Sequence, residues 1–222
     1  MQIQHANMAE SQVEKQEHLL KRLRIFRIVT WLLVVIVAAW LFVSGNLPRF
    51  RQEEMASSRT STPAIGKPFE LISHQGAVVN NATLKGKPYL AFFGFTHCPD
   101  VCPTTLFELT DLMTELGPVA DRFNVAFITV DPERDTGEML AGYMSSFDTR
   151  IMALRGTPEQ TQTAVKAFAA YARKVPTDGG NYTMDHTAGV YLMDADGEFK
   201  GILDMHEPRE VRLKKIRNLV GA

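Results

Sequence analysis

Two apolar runs separated by a helical stretch most constrain what this chain can become. "PYLAFFGF" (residues 88–95) and "NVAFITV" (residues 124–130) are unbroken by polar alternation and read as strands buried on both faces. Between them Leu106, Leu109, Met113 and Leu116 recur at helical spacing, with Pro103 suited to a first turn. The pattern continues with a helical stripe of Met139, Leu140, Tyr143, Met144 and Phe147, then a short strand "IMAL". Thr157-Pro158-Glu159-Gln160 has the form of a capping box and predicts a helix running through Ala172. "AGVYLMDADGEFKGIL" predicts two strands joined across Asp194–Gly197, and Pro208 opens a last helix through Leu219. A small hairpin around His74-Gln75-Gly76 precedes all of these. Alternating strands and helices imply an α/β domain with a mixed sheet, the final hairpin supplying its antiparallel part.

The chain is longer than that domain needs. Its 222 residues carry 24 basic and 25 acidic side chains, a balance that gives no attraction for nucleic acid. From Ile28 to Leu47 ("IVTWLLVVIVAAWLFVSGNL") no residue is charged. Twenty helical residues cover roughly 30 Å, the thickness of a bilayer's hydrocarbon core. Trp31 and Trp40 lie within the run, and Arg27 stands where it can snorkel at the edge. The leader is long for a cleaved signal peptide and no clear A-x-A site follows, so an uncleaved anchor is expected. Lys15, Lys21, Arg22, Arg24 and Arg27 precede the run, against Arg49, Arg51 and Arg59 after it. That bias places the N-terminus in the cytoplasm and the rest in the periplasm, as a single-pass protein of the inner (cytoplasmic) membrane. The expected layout is a tail over 1–27, an anchor over 28–47, a polar Ser/Thr-rich tether over 48–63 and the domain over 64–222.

The two cysteines both fall in "GFTHCPDVCPTTL". Cys98 and Cys102 lie at the carboxyl end of the first buried strand, where it enters a helix, and open α/β sheets bind ligands in that crevice. Backbone N–H groups and the dipole at a helix start favour thiolate, the form that binds metal and attacks disulfides. Four residues apart, the two side chains can point to a common centre, and the intervening loop is one residue wider than a C-x-x-C pair. An inert disulfide is the structural alternative in an oxidising compartment. Two thiolates suit a soft ion such as Cu(I) but need a third ligand. Of the six histidines, His5 and His18 precede the apolar run, His74 lies in a hairpin turn and His206 near the last helix. His97 should point away from the loop's centre if strand alternation persists. His186 remains, just before a strand and after a glycine-containing loop.

Three stretches, "GFTHCPDVCPTTL", "TVDPERDT" and "DHTAGVYLMDADGEF", occur in this order and resemble the SCO/SenC family of copper-binding assembly factors for cytochrome c oxidase. The similarity spans roughly residues 64 to 220. It implies a thioredoxin-like fold in which Cys98, Cys102 and His186 ligate copper, as Cu(I) or Cu(II). It also implies a role in delivering copper to, or preparing the thiols of, the CuA site of oxidase subunit II, with other copper chaperones or thiol reductants as further partners. Asp185 beside the histidine is expected to tune its orientation or lie near the metal. Asp131, in the loop after the second strand, borders the same crevice and either influences the site or a partner or belongs to a charged loop that caps the next helix through Thr136.

Three functions compete on these residues: a non-enzymatic copper chaperone, a thiol-disulfide oxidoreductase in which Cys98 and Cys102 form a redox-active disulfide, and a redox or copper sensor. His186 separates the first two, because disulfide exchange needs no histidine there. A thiol peroxidase is set aside, since Thr96 stands only two residues before Cys98 and the P-x-x-x-T-x-x-C order is absent.

Overall fold

The computed structural model describes residues 27, 29–37, 39–40 and 65–222, and the chain divides into two units, Met1–Ser61 and Thr62–Ala222. In the first unit every described residue is helical. Its large apolar side chains are exposed, Trp31 at 67% and Trp40 at 63%. Among the described residues no helix is long and apolar enough to cross a membrane. Ile28, Ala38 and residues 41–47 of the expected anchor lie outside the described residues, as do residues 1–26, the tether and Ala64.

The second unit runs β1 (Glu70–Ser73), β2 (Val78–Asn80), α1 (Asn81–Leu84), β3 (Tyr89–Gly94), α2 (Val101–Leu116), β4 (Asn124–Thr129) and α3 (Gly137–Met144). It continues through β5 (Ile151–Arg155), α4 (Pro158–Ala167), β6 (Ala172–Pro176), β7 (Tyr182–His186), β8 (Val190–Met193), β9 (Phe199–Leu203) and α5 (Arg209–Val220). Seven strands form one sheet in the order β2-β1-β5-β4-β3-β8-β9. The centre is parallel, with Phe92 opposite Phe127 and Gly94 opposite Thr129, whereas β8 joins β3 antiparallel with Val190 opposite Phe92. All six residues of β3 are buried, as expected of a strand covered on both faces.

In α2 the buried residues Cys102, Leu106, Leu109, Met113 and Leu116 recur every three or four positions, so one face of the helix lies on the sheet. Gly117, at φ 53°, ends it and donates its N–H to the carbonyls of Met113 and Thr114. The start of α2 lies close over the end of β3. A Cβ on Gly94 would stand 2.6 Å from Phe127 and 2.9 Å from Sγ of Cys102, so the first buried strand and the second cysteine meet only because that side chain is a hydrogen.

Two expectations need correction. Met139 does not join the stripe that α3 buries; Leu140 and Met144 do, and Met139 is exposed. The helix opened by the Thr157–Gln160 capping box stops at Ala167, five residues short of Ala172. Ala169 adopts a positive φ of 49°. Its N–H donates to Lys166, and that of Ala170 to Val165. This is a Schellman stop with alanine in the left-handed position usually held by glycine. Ala172 instead begins β6, which pairs with β7 as a separate two-stranded sheet carrying His186 at its end.

Candidate metal centre

Cys98 follows β3 in a turn closed by its N–H to the Phe95 carbonyl (3.2 Å). It is half-buried, while Cys102 in the first turn of α2 is wholly buried, and both thiols are free. The Cys102 backbone N–H points at Sγ of Cys98 (3.4 Å), one of the helix-start donors that favour a thiolate. The other side of the site comes from β7. His186 Nδ1 lies 3.0 Å from the Thr187 carbonyl oxygen. A carbonyl only accepts, so Nδ1 carries the proton and Nε2 is left with a lone pair. That lone pair faces Sγ of Cys102 at 3.4 Å. Phe92 and Phe95 pack edge-on against the imidazole, with ring centroids 6.3 and 5.8 Å away.

The donor atoms of Cys98, Cys102 and His186 all lie within 4.8 Å of one another. Two sulfurs and one imidazole nitrogen, with no carboxylate among them, suit a soft or borderline ion and serve a hard one such as Mg²⁺ poorly. A backbone carbonyl holding the distal nitrogen is the usual support of a metal-binding histidine. The residues therefore fit a metal. Electrostatics departs from expectation at one thiol. Burial pushes the Cys102 thiol well above the ordinary range; a hydrogen bond from the backbone at Phe95 opposes this without outweighing it, and Cys98 and Asp135 add to the rise. The helix start does not make Cys102 a free thiolate at neutral pH, so an ion binding there must displace its proton. The Tyr143 phenol is raised in turn by burial first, then by the charges of Cys102, Cys98 and Asp135.

The SCO1/SenC family model matches residues 57–221. The chain belongs to the SCO1/SenC family. It is 33% identical over 174 residues to an SCO2-like protein of Rickettsia prowazekii, covering 78% of this chain and 85% of that one. It is 37% identical over 140 residues to the mitochondrial SCO1 homolog of Homo sapiens, covering 62% of this chain and 46% of that one. Among solved structures, copper-bound ScoI of Bradyrhizobium japonicum matches at a TM-score of 0.67 and 46% identity, over 70% of this chain and 99% of that one. Copper-bound yeast Sco1 matches at a TM-score of 0.66 and 32% identity, over 72% and 90%. The mixed sheet flanked by helices is thus a thioredoxin-like α/β fold.

Within this SCO1/SenC domain the remaining expected residues divide. His74 accepts a hydrogen bond from the Ala153 N–H (3.1 Å), and His206 pairs with Asp204 on the surface (2.9 Å), so neither joins the three-residue cluster. His97 turns to the Thr96 hydroxyl (3.0 Å) and stays out of the three-residue cluster. Asp185 does not orient His186; it forms an exposed pair with Arg173 across the hairpin (3.2 Å). Asp131 is wholly buried, accepting from Arg134 and from the Tyr182 hydroxyl (2.9 Å). Thr136 does cap α3, accepting from the Met139 N–H.

Sequence reasoning passed over Asp135. Its buried carboxylate accepts from the Thr96 N–H (3.1 Å), the Thr96 hydroxyl (2.6 Å) and the Thr129 hydroxyl (2.5 Å). It ties the loop leading to Cys98 onto the end of β4. Three donors on one buried carboxylate make a stiff tether, since hydrogen bonds to charged groups contribute about 1.5–3 kcal/mol each. The only sequence signal was its place after the second buried strand, beside Asp131.

Proposed function

We propose that this chain is a membrane-anchored copper carrier that binds one copper, as Cu(I) or Cu(II), through Cys98, Cys102 and His186 and serves assembly of the CuA site in cytochrome c oxidase subunit II. The observation that carries the reading is the His186 Nε2 lone pair held 3.4 Å from Sγ of Cys102 with Nδ1 bonded to the Thr187 carbonyl. A disulfide exchanger has no use for an imidazole so prepared, whereas a two-thiolate site would be under-coordinated without it. Copper-bound relatives at 46% and 32% identity support the choice of metal. The copper is cargo. Cys102 and His186 hold it from the buried side, and half-buried Cys98 is the ligand an incoming thiolate displaces first.

The anchor, the tether and a periplasmic domain complete the proposal. They are supported by the charge-free run and by the exposed apolar side chains on its described helical residues. A C-terminal reporter that functions only outside the cytoplasm should be active on the full-length chain; activity of a cytoplasm-only reporter would reverse the orientation. The copper reading is tested by metal content. A reduced chain should retain one copper, with intense thiolate-to-Cu(II) bands, and a Cys98→Ala, Cys102→Ala double variant should retain none.

A second reading is favoured by the unequal exposure of the thiols. Half-buried Cys98 attacks a disulfide in the partner, one partner sulfur leaves as thiolate, and Cys102 then attacks Cys98 of the mixed disulfide. The partner gains two thiols and the chain is left with a Cys98–Cys102 disulfide. His186→Ala separates the two readings, because only the carrier needs the imidazole.

A further inference from the structure

The histidine half of the site has no place in the seven-stranded sheet; among the described residues β6 and β7 pair only with each other. Something else must hold His186 over the cysteines. The contacts that do so converge on residues 131–135. Arg134 donates through Nε to Asp131 and through Nη1 to the Tyr182 carbonyl (2.9 Å). Its guanidinium carbon stands 3.8 Å from the centroid of the Tyr182 ring and 5.9 Å from that of Phe95. Phe95 in turn packs edge-on against His186. The Tyr182 hydroxyl closes the ring of contacts on Asp131 (2.9 Å), and Lys174 of β6 reaches Glu133 (2.5 Å). The other end of the same five residues, Asp135, holds the cysteine loop at Thr96.

We propose that Arg134, clamped between Tyr182 and Phe95, is a positioning residue that sets His186 over Cys98 and Cys102, so that residues 131–135 couple the two halves of the site. This rests on the copper-carrier reading. The chemistry asks for arginine. Only a planar guanidinium donates in two directions while stacking on aromatic faces, and lysine would supply the charge without the fork. Among the described residues its Nη2 is buried with no hydrogen-bond partner, which leaves a desolvation cost uncompensated. Such a cost is sensible for a group whose value is its position. Changes to groups that orient a metal-binding histidine typically lower metal affinity by about 10- to 100-fold.

The test uses the full-length chain in detergent with Arg134→Met, Arg134→Lys and Tyr182→Phe, each alone and combined with His186→Ala. Copper retained against a competing chelator and hydrogen exchange of the copper-free chain are both read. Arg134→Met should lower retention about tenfold or more and strip protection from the β6 and β7 amides while α2 keeps its own. Arg134→Lys should rescue little, and Tyr182→Phe should act in the same direction but less. In the His186→Ala background, read against a competitor weak enough for the two thiolates to keep some copper, the Arg134 change should cost nothing further. An equal loss in that background, or wild-type retention with an intact hairpin, would overturn the proposal. If His186→Ala itself retains copper like the wild type, the carrier reading fails instead. Exchange then decides the clamp alone: lost hairpin protection upholds it and unchanged protection rejects it. Should Arg134→Met not fold, the Lys and Phe variants carry the same comparison.

Discussion

The cysteine half and the histidine half of this site are held by different physics. Cys98 and Cys102 stand where a fully buried parallel strand turns into a helix whose apolar face covers it. His186 ends a two-stranded hairpin in which Met184, at the middle of β7, is the one buried residue. Met184 joins the core and Ala172 and Tyr182 pack against it, and polar contacts to residues 131–135 supply the rest of the hold. Packing makes the first half stiff and costly to disturb. Fewer buried side chains and more directional contacts hold the second half, so it should open at a lower free energy than the first.

The comparison is most easily broken in the core. Leu106→Ala, beneath α2, should cost about 2–5 kcal/mol in denaturant unfolding, with the folded fraction still retaining copper. Gly94→Ala comes next. Its Cβ would press on Phe127 and on Sγ of Cys102, and overpacking of this kind costs about 1–3 kcal/mol. Leu106→Ala should act on stability before it acts on metal, whereas Gly94→Ala, by displacing Sγ of Cys102, should lower copper retention as well. Tyr182→Phe removes one hydrogen bond to Asp131 and should cost about 0.5–1.5 kcal/mol or less in unfolding while loosening the hairpin in hydrogen exchange. A Tyr182→Phe variant as destabilised as Leu106→Ala would erase the distinction between the halves.

The difference also explains what was legible in the sequence. The cysteine half is local: an apolar run, a C-x-x-x-C loop and a helical stripe follow one another between residues 88 and 116. The hairpin is not. "ARKVP" shows no apolar alternation and is largely exposed, and "YTMDH" alternates only at Tyr182 and Met184, too short a pattern to mark a strand. The break before them depends on Ala169 in a left-handed conformation, and alanine is the residue that most favours continuing a helix. His186 was found by elimination and by resemblance, and its supports Arg134 and Tyr182 not at all. Asp185 was misjudged for the same reason: adjacency in the chain suggested influence, whereas strand alternation turns its side chain to the other face, toward Arg173.

The smallest effect is expected at the far end of β3. Burial, then the charge of Asp194, push the Tyr89 phenol up to about 12, and among the described residues its hydroxyl has no hydrogen-bond partner. A folded-state pKa above the unfolded value of about 10 gives stability that is full below pH about 10 and lost as pH rises through about 12. Tyr89→Phe should therefore be nearly neutral at pH 7 and flatten the alkaline loss in a series of denaturation curves. Unchanged alkaline slopes would remove Tyr89 as their source.

The central claim is that both halves grip one ion, and copper content with free-thiol count, measured together on the full-length chain and its His186→Ala variant, tests it most directly. The wild type should retain one copper per chain when both thiols are reduced. His186→Ala should lose it under the same chelator while Cys98 and Cys102 still close to a disulfide on oxidation. Copper retention by His186→Ala equal to that of the wild type would contradict the account, leaving the cysteine half to act alone.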